Sequence, residues 1–359
     1  MKHLAADGID LSFQPDCGLI SGLIVTDQGR RIDMMHRAPW VGKTDAMPAS
    51  APPHQHILAG DFFCAPFSDV GAGDGAPLHG WPANDVWSEM PQTNPKLLRY
   101  VLTHTVMGAH LTKELSVTDG HPFVYQRHLF TGGAGSISAA NHAMVSLPNG
   151  GILRFSPKRW FETPANAPES DPARGRSCLS YPARSSDARI FPAWGGGTVD
   201  LTHYPFGPAH EDFVMCLEAY DSTLGWTAVT RPAEGDLYLS LRNPRLLPMT
   251  MIWHSNGGRD YAPWNGRHKG CLGIEEGIAA HLLGKTTPEE DAFLAKSGQA
   301  SAVHLAPGTV TEVRHIIGCI AWPTGEAVKY VFLDGNTLVV TGELGAQRAV
   351  PIDAAFLRL

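Results

Sequence analysis

Apolar and polar residues alternate along much of the chain, the period of two that an extended strand imposes on a half-buried sheet. RYVLTHTVMGAHLTKELSVTD, from Arg99 to Asp119, alternates over two stretches, and HPFVYQRHLFTG and GSISAANHAMVSLP follow with the same period. Turn signals fall about 10–14 residues apart, which suits an antiparallel meander. GLISGLIVTDQGRRIDMM, from Gly18 to Met35, reads as strand, turn at Asp27-Gln28-Gly29, and strand. Further strands are expected from Phe213 to Cys216, Thr227 to Thr230, Asp236 to Arg242 and Thr250 to His254. SAVHLAPGTVTEVRHIIGCIAW reads as strand–turn–strand, and the last stretch alternates around Gly335-Asn336 and Gly342. Short helices are expected at 275–283 and 288–296.

Segments 43–56 and 71–94 read as loops, and loops this long inside a compact fold are usually functional. Segment 163–189 is polar and Pro-rich, and reads as an excursion or lid. No repeat of fixed period is visible, which disfavours a solenoid or propeller. The fold class expected is all-β and mainly antiparallel, with few short helices, as one domain over 1–359.

Composition sharpens this picture. Gly (38) and Pro (28) are in excess, which favours many turns over long helices. A hydrophobic share of 43% with 18% charged residues supports a large core rather than disorder. A net charge of −7 disfavours a partner bound through phosphate neutralisation, so no nucleic acid is expected. No apolar run reaches the about 18–20 residues of a membrane span, and no membrane partner is expected. The start of the chain lacks the apolar stretch of a signal peptide, so a cytoplasmic location is expected. Six cysteines without a CxxC pair read as reduced, mostly buried thiols.

Of the 17 histidines, most belong to the packing of strands; those in turn-rich contexts are of chemical interest. In PLHGWPANDVW, His79 stands among Trp81, Trp87, Asn84 and Asp85. Aromatic faces beside directional polar groups are what a sugar needs, although the tryptophans could equally pin the loop to the core. In SAANHAMVSLPNGG, His142 lies near the end of an expected strand, with Asn141 beside it. In MIWHSNGGRDYAPWNGRHKGCLGIEEG, Trp253 and Trp264 flank a Gly-rich loop, and an apolar stretch runs into Glu275 and Glu276. A carboxylate ending an apolar strand is partly desolvated, its pKa rises, and it becomes a suitable general base. The same pair could instead be the acidic first turn of a helix. His54 and His56, in HQH on an extended segment, would point the same way and could share a metal, but no acidic third ligand follows, and no metal site is expected.

Taken together in this order, these motifs resemble the aldose 1-epimerase (galactose mutarotase-like) superfamily. MMHRAPWVG resembles the family's opening hairpin with its Trp-containing turn, and GDFFCAPFSD its Pro-rich strand. LHGWPANDVW resembles the HGFxRNxxW loop, NHAMVSLP the strand with the HPYFNL-type histidine, and CLGIEEG the strand ending in the catalytic glutamate. The resemblance covers the chain from Gly18 to Pro323. It implies a β-supersandwich of two twisted antiparallel sheets with an open sugar cleft, and no metal or organic cofactor. Glu275 would be the general base, His142 the general acid at the ring oxygen, and His79 a hydrogen-bonding partner of the ring. Trp81, Trp253 or Trp264 would supply a stacking face, and Asn84 and Asp85 further contacts.

Two positions depart from the family. Its arginine falls at Ala83, and its proline after the glutamate falls at Glu276, leaving open which of Glu275 and Glu276 faces the cleft. The function implied is an isomerase interconverting anomers of a free aldose, with a small-molecule sugar as partner and the protein a monomer or homodimer. The alternatives are a non-catalytic carbohydrate-binding relative and a phosphosugar epimerase with Arg37, Arg259, Arg267 and Lys269 as phosphate-binding candidates.

Overall fold

In the computed structural model, the described residues are 1–43, 47–68, 75–169, 171, 177–280, 296 and 298–358. They form two large antiparallel sheets packed face to face. The first sheet runs, in spatial order, Lys2–Ala6, Ile9–Gln14, Leu19–Asp27, Asp61–Cys64, Ala139–Ser146, Cys271–Ile278, Met249–Asn256, His210–Glu218, Lys158–Thr163 and Ala183–Ser185, with Arg30–Asp33 off this path against Leu19–Asp27. The second runs His203–Tyr204, Gly151–Phe155, Gly225–Arg231, Asp236–Arg242, Val310–Ala321, Phe123–Gly132, Ala109–Ser116, Leu97–Leu102 and Trp87–Glu89. The early hairpin turns at Gln28 and Gly29, both with positive φ (51° and 72°), as the tightest hairpin turns require.

Strict alternation divides the side chains among three packed layers. On Cys271–Ile278, Leu272, Ile274 and Ile278 join Leu153, Val229 and Ile317 between the sheets. Cys271 faces the other way, into a second cluster with Trp40, Phe62, Met251 and Trp253, and Glu275 shares that face. A third cluster covers the far side of the second sheet, where Leu239, Leu241 and Ile316 pack under the C-terminal strands Val328–Asp334, Thr337–Gly342 and Gln347–Pro351.

The layer between the sheets also holds charge. Glu276 accepts from Thr227 Oγ1 (2.6 Å), Thr250 Oγ1 (2.8 Å) and Ser240 Oγ (3.1 Å), and pairs with Arg242 Nη1 at 2.8 Å. Arg242 also meets Glu218, which Lys158 holds at 2.5 Å. Two carboxylates and two cations, all buried, are tolerable there because each is paired and hydrogen-bonded.

Three sequence expectations change. The helix expected at 275–283 is not formed at its start: the strand continues through Ile278. Glu275 and Glu276 reach partners on opposite faces of the sheet, a division that period two provides and a helical turn does not. The helix expected at 288–296 falls, except for Lys296, outside the described residues. The HQH motif is not extended: Pro53–His56 is one helical turn begun by Pro53, with His54 buried. The loop expected over 71–94 also ends in a strand, Trp87–Glu89, paired with Leu97–Leu102. No helix among the described residues is long and apolar enough to cross a membrane.

Candidate active site

Neighbouring central strands of the first sheet carry the candidate chemistry. Their register sets His142 opposite Glu275 on one side and opposite Phe62 on the other. Cross-strand neighbours on one face lie within side-chain reach. His142 Nε2 and Glu275 Oε1 are 3.1 Å apart, and the Phe62 ring stacks on the imidazole at 4.5 Å. Gly273 makes room for this pair: a Cβ there would stand 2.7 Å from Glu275 Oε1 and 2.9 Å from Trp253 Cβ.

Both members of the pair are buried, and burial disfavours their charged forms. Desolvation holds the Glu275 carboxyl well above the usual range and pushes the His142 imidazole down to about 3, a neighbouring His54 adding to the latter. Burial thus favours the neutral form of both groups, the arrangement in which a protonated Glu275 donates to His142 Nε2.

The loop bearing His79 is fixed by its backbone. Gly80, at φ 74°, lies so close to the chain that a Cβ would stand 2.1 Å from the Ala65 carbonyl oxygen. Asn84 donates through Nδ2 to the carbonyls of Leu78 (2.8 Å) and Gly80 (2.7 Å). Its amide orientation is thereby set, and Oδ1 must accept from His54 Nδ1 at 2.8 Å. His54, pushed down to about 4 by burial, is neutral with Nε2 left as an acceptor. His79 Nδ1 accepts from the Ser68 backbone N–H at 3.3 Å, so neutral His79 carries its proton on Nε2. The His79 ring meets His54 and His142 edge-on, each at 5.2 Å. Asn84→Leu would leave buried donors and carbonyls unpaired at about 1–3 kcal/mol each. It is expected to lower the unfolding midpoint and to raise KM for any ligand held by His54 and His79; unchanged melting and unchanged KM would refute this support role.

These side chains border a cavity of about 800 Å³. Part of its lining is aromatic. Trp253 donates Nε1 to Glu211 Oε1 at 2.5 Å and stacks on His268 (5.3 Å). Trp264 meets Trp40 edge-on at 5.1 Å. The Arg259 guanidinium lies over Trp264 (4.6 Å) and pairs with Glu211 at 3.4 Å.

Of the residues singled out from the sequence, His142, Glu275, His79, Trp253 and Trp264 border this cavity. Asn84 stands behind it as a support. Trp81 and Asp85 lie elsewhere: the short 3-10 turn Trp81–Ala83 sends Trp81 outward to stack on His104 at 4.1 Å, and Asp85 holds the same His104 at 2.5 Å. Glu275, not Glu276, faces the cavity. Among the four cations considered for phosphate, Arg259 alone lines it, already paired with Glu211; Arg37 bonds the Ser21 carbonyl, and Arg267 bonds the Pro263 carbonyl. The excursion supplies Thr163, Ala165 and Asn166 to the rim. Sequence reasoning passed over Phe62 and Tyr261 and weighed His54 only as a metal ligand; the Pro-rich HQH segment was the available signal for His54.

No family profile and no curated protein matches the sequence. Solved structures do match. A candidate aldose 1-epimerase from Escherichia coli K12 aligns at TM-score 0.59 and 14% identity, over 88% of this chain and 97% of that one. A galactose mutarotase related enzyme from Lactobacillus acidophilus aligns at 0.54 and 9% identity, over 90% and 98%. A candidate aldose 1-epimerase from Klebsiella pneumoniae aligns at 0.53 and 15%, over 89% and 78%. The chain has the galactose mutarotase-like fold.

Within this mutarotase-like sandwich, two groups of side chains among the described residues have metal-ligating chemistry. In the first, His36, His268 and Cys271, the nitrogens already form a chain: His36 Nε2 to His268 Nε2 (3.1 Å), His268 Nδ1 to Ser255 Oγ (2.7 Å), and Ser255 Oγ to Glu211 Oε2 (2.9 Å). In the second, Asp212 accepts from the backbone of Cys178 and Leu179, from the Tyr181 hydroxyl and from His210, which ties the returning excursion to the sheet. All six cysteines are free thiols, five of them buried.

Proposed function

We propose that this protein is an aldose 1-epimerase-like isomerase that interconverts the anomers of a free aldose. The observation that carries the reading is the His142–Glu275 pair, 3.1 Å apart, buried, and bordering a cavity that histidines and tryptophans also line. An acid and a base within reach of one small ligand are what ring opening requires.

In the bound state, the anomeric O1–H donates to Glu275 and the ring oxygen accepts from protonated His142. The sugar's own polar groups then stand in for water around the charged pair. Glu275 takes the O1 proton, the C1–O5 bond breaks as C1=O1 forms, and O5 receives the proton from His142. This leaves Glu275 protonated and His142 neutral, the form that burial favours, beside the open aldehyde. Rotation about C1–C2 and closure on the other face reverse both transfers. No proton is gained or lost overall. His54 Nε2 as acceptor and His79 Nε2–H as donor offer a complementary pair to ring hydroxyls, and Trp253 or Trp264 a face for its C–H groups.

This electrostatics predicts an unusual pH profile. The pair needs one proton, which is lost on the alkaline side as Glu275 ionises. On the acid side His142, held near 3, does not titrate in the usual histidine range. Plotted against pH, kcat/KM is expected to show no acid limb near 6.5, the ordinary histidine value, and a one-proton alkaline limb as Glu275 ionises, with the acid limit set by loss of the fold. A one-proton acid limb near 6.5 would overturn the assignment. The direct test of activity is mutarotation of freshly dissolved α-aldoses followed by polarimetry.

A further inference from the structure

Against the tryptophans of the cavity wall, three ligand-bearing side chains converge from separate parts of the chain. His36 follows the Met35–Val145 bridge, His268 comes from the loop between Asn256 and Cys271, and Cys271 opens the strand that carries Glu275. All three are buried, and one ligand atom of each lies within 4.8 Å of the other two. His36 Nε2 and His268 Nε2 are 3.1 Å apart, with ring centroids 4.8 Å apart and ring planes at 81°. Two imidazoles bound to one ion at about 2.0–2.1 Å, with nitrogens this far apart, would subtend about 100° at the ion and hold their centroids about 4.8 Å apart. Rings meeting head-on along a hydrogen bond would hold them about 5.4 Å apart. The observed spacing matches the shared ion.

The surroundings fix the donor atom. Ser255 Oγ donates to Glu211 Oε2 at 2.9 Å, so it accepts from His268 Nδ1 at 2.7 Å. The lone pair of neutral His268 is therefore on Nε2, the nitrogen that faces His36. An imidazole held from behind through a hydroxyl and a carboxylate has the outer-shell support of a metal-binding histidine. The rings of Trp253, Trp40 and Trp264, at 5.3, 5.4 and 5.5 Å, hold its plane in place. The Cys178–His210–Asp212 group is different, because Asp212 is already engaged by two backbone N–H groups, a hydroxyl and His210.

We infer that His36, His268 and Cys271 form a binding site for a thiolate-seeking d¹⁰ ion, Zn²⁺ or Cu⁺. Two imidazoles and one thiolate suit both ions, whereas Mg²⁺ and Ca²⁺ require oxygen ligands that this group does not offer. On binding, the Cys271 thiol gives up its proton, the His36 proton moves from Nε2 to Nδ1, and the thiolate and both Nε2 lone pairs enter the ion. One proton is released per ion. The ion pins the loop that carries Arg259 and Trp264 to the sheet. The inference is independent of the epimerase reading.

The test titrates the chelator-treated full chain with Zn²⁺, with Cu⁺ under anaerobic reducing conditions, and with Co²⁺ as an optical probe. One ion per chain is expected, with a sulfur charge-transfer band for Co²⁺ or Cu⁺, release of one proton per ion and a raised melting temperature. Cys271→Ser and His268→Gln are expected to weaken binding by about 100-fold or more, and Ser255→Ala, which keeps all three ligands, by about 10–100-fold. Cys178→Ser is expected to bind as wild type does. Tighter uptake of Zn²⁺ or of Cu⁺ identifies the ion. The sulfur band is read on wild type, so it remains decisive where a variant fails to fold. Binding without that band, binding that survives in folded Cys271→Ser, binding that needs Cys178 instead, or no binding of any of the three ions would overturn the site.

Discussion

Glu275→Gln is expected to lower kcat/KM for mutarotation by about 10²-fold or more, the ordinary contribution of a positioned acid–base group. The amide keeps the size of the side chain and its place opposite His142, but it cannot take the anomeric proton. The fold should tolerate it, because burial already favours the uncharged carboxyl and an amide can still donate to His142 Nε2. Glu276→Gln is the contrasting variant. It removes a charge facing Arg242 inside the sandwich, so its main effect is expected on stability, with kcat/KM of the folded fraction near wild type. Activity of Glu275→Gln within a few-fold of wild type would remove Glu275 from the proposed chemistry. Sugar binding by a wild-type protein that accelerates nothing would favour the carbohydrate-binding alternative.

The second large effect concerns acid stability. Eight histidines, seven of them buried (His36, His54, His128, His142, His254, His268 and His315) and His79 half-buried, are all held below their ordinary range chiefly by desolvation. In the unfolded chain each takes a proton as pH falls through about 6.5, whereas in the folded protein desolvation delays that uptake to lower pH. The unfolded state therefore binds more protons, and stability falls as pH falls. Three buried carboxyls oppose this. Desolvation raises Asp61 to about 6, and raises Glu211 and Glu275, so these gain protons first in the folded state. The eight histidines outnumber the three carboxyls, so the net direction is a loss of stability as pH falls below about 6.5. The unfolding midpoint is therefore expected to fall steadily as pH is lowered below about 6.5. Urea unfolding at stepped pH from 7.5 downward measures this slope. A midpoint unchanged between pH 7 and 5 would show that these histidines are solvated or paired in the folded protein.

Much of the fold is legible in the sequence because period two leaves a mark that strands cannot avoid. His142 and Glu275 could be proposed because each lies in a strand-like stretch whose motif resembles a known family. The choice between Glu275 and Glu276 shows where legibility stops. Adjacent residues on a strand must face opposite sides, so the sequence requires that only one of them point to a given layer. Every residue of Cys271–Ile278 is buried, however, so no polar face identifies the cavity side. The two layers become distinguishable only when Arg242 arrives from the second sheet on one side and Trp253 and His142 close the other.

The loops divide in the same way. LHGWPANDVW announces a polar and aromatic loop, but one 3-10 turn sends Trp81 to His104 and brings Asn84 beneath His54. That outcome depends on the close approach of Gly80 to Ala65, a contact between segments that no local pattern encodes. The path of the excursion is likewise fixed by Asp212, from a different strand. By itself, then, the sequence determined the antiparallel β class, the alternation of faces and the side chains able to do acid–base and sugar chemistry, because these follow from periodicity and residue type. Tertiary structure alone decided which face became the cavity, which histidines and aromatics met there and which carboxylate faced it, because those depend on contacts between segments far apart along the chain.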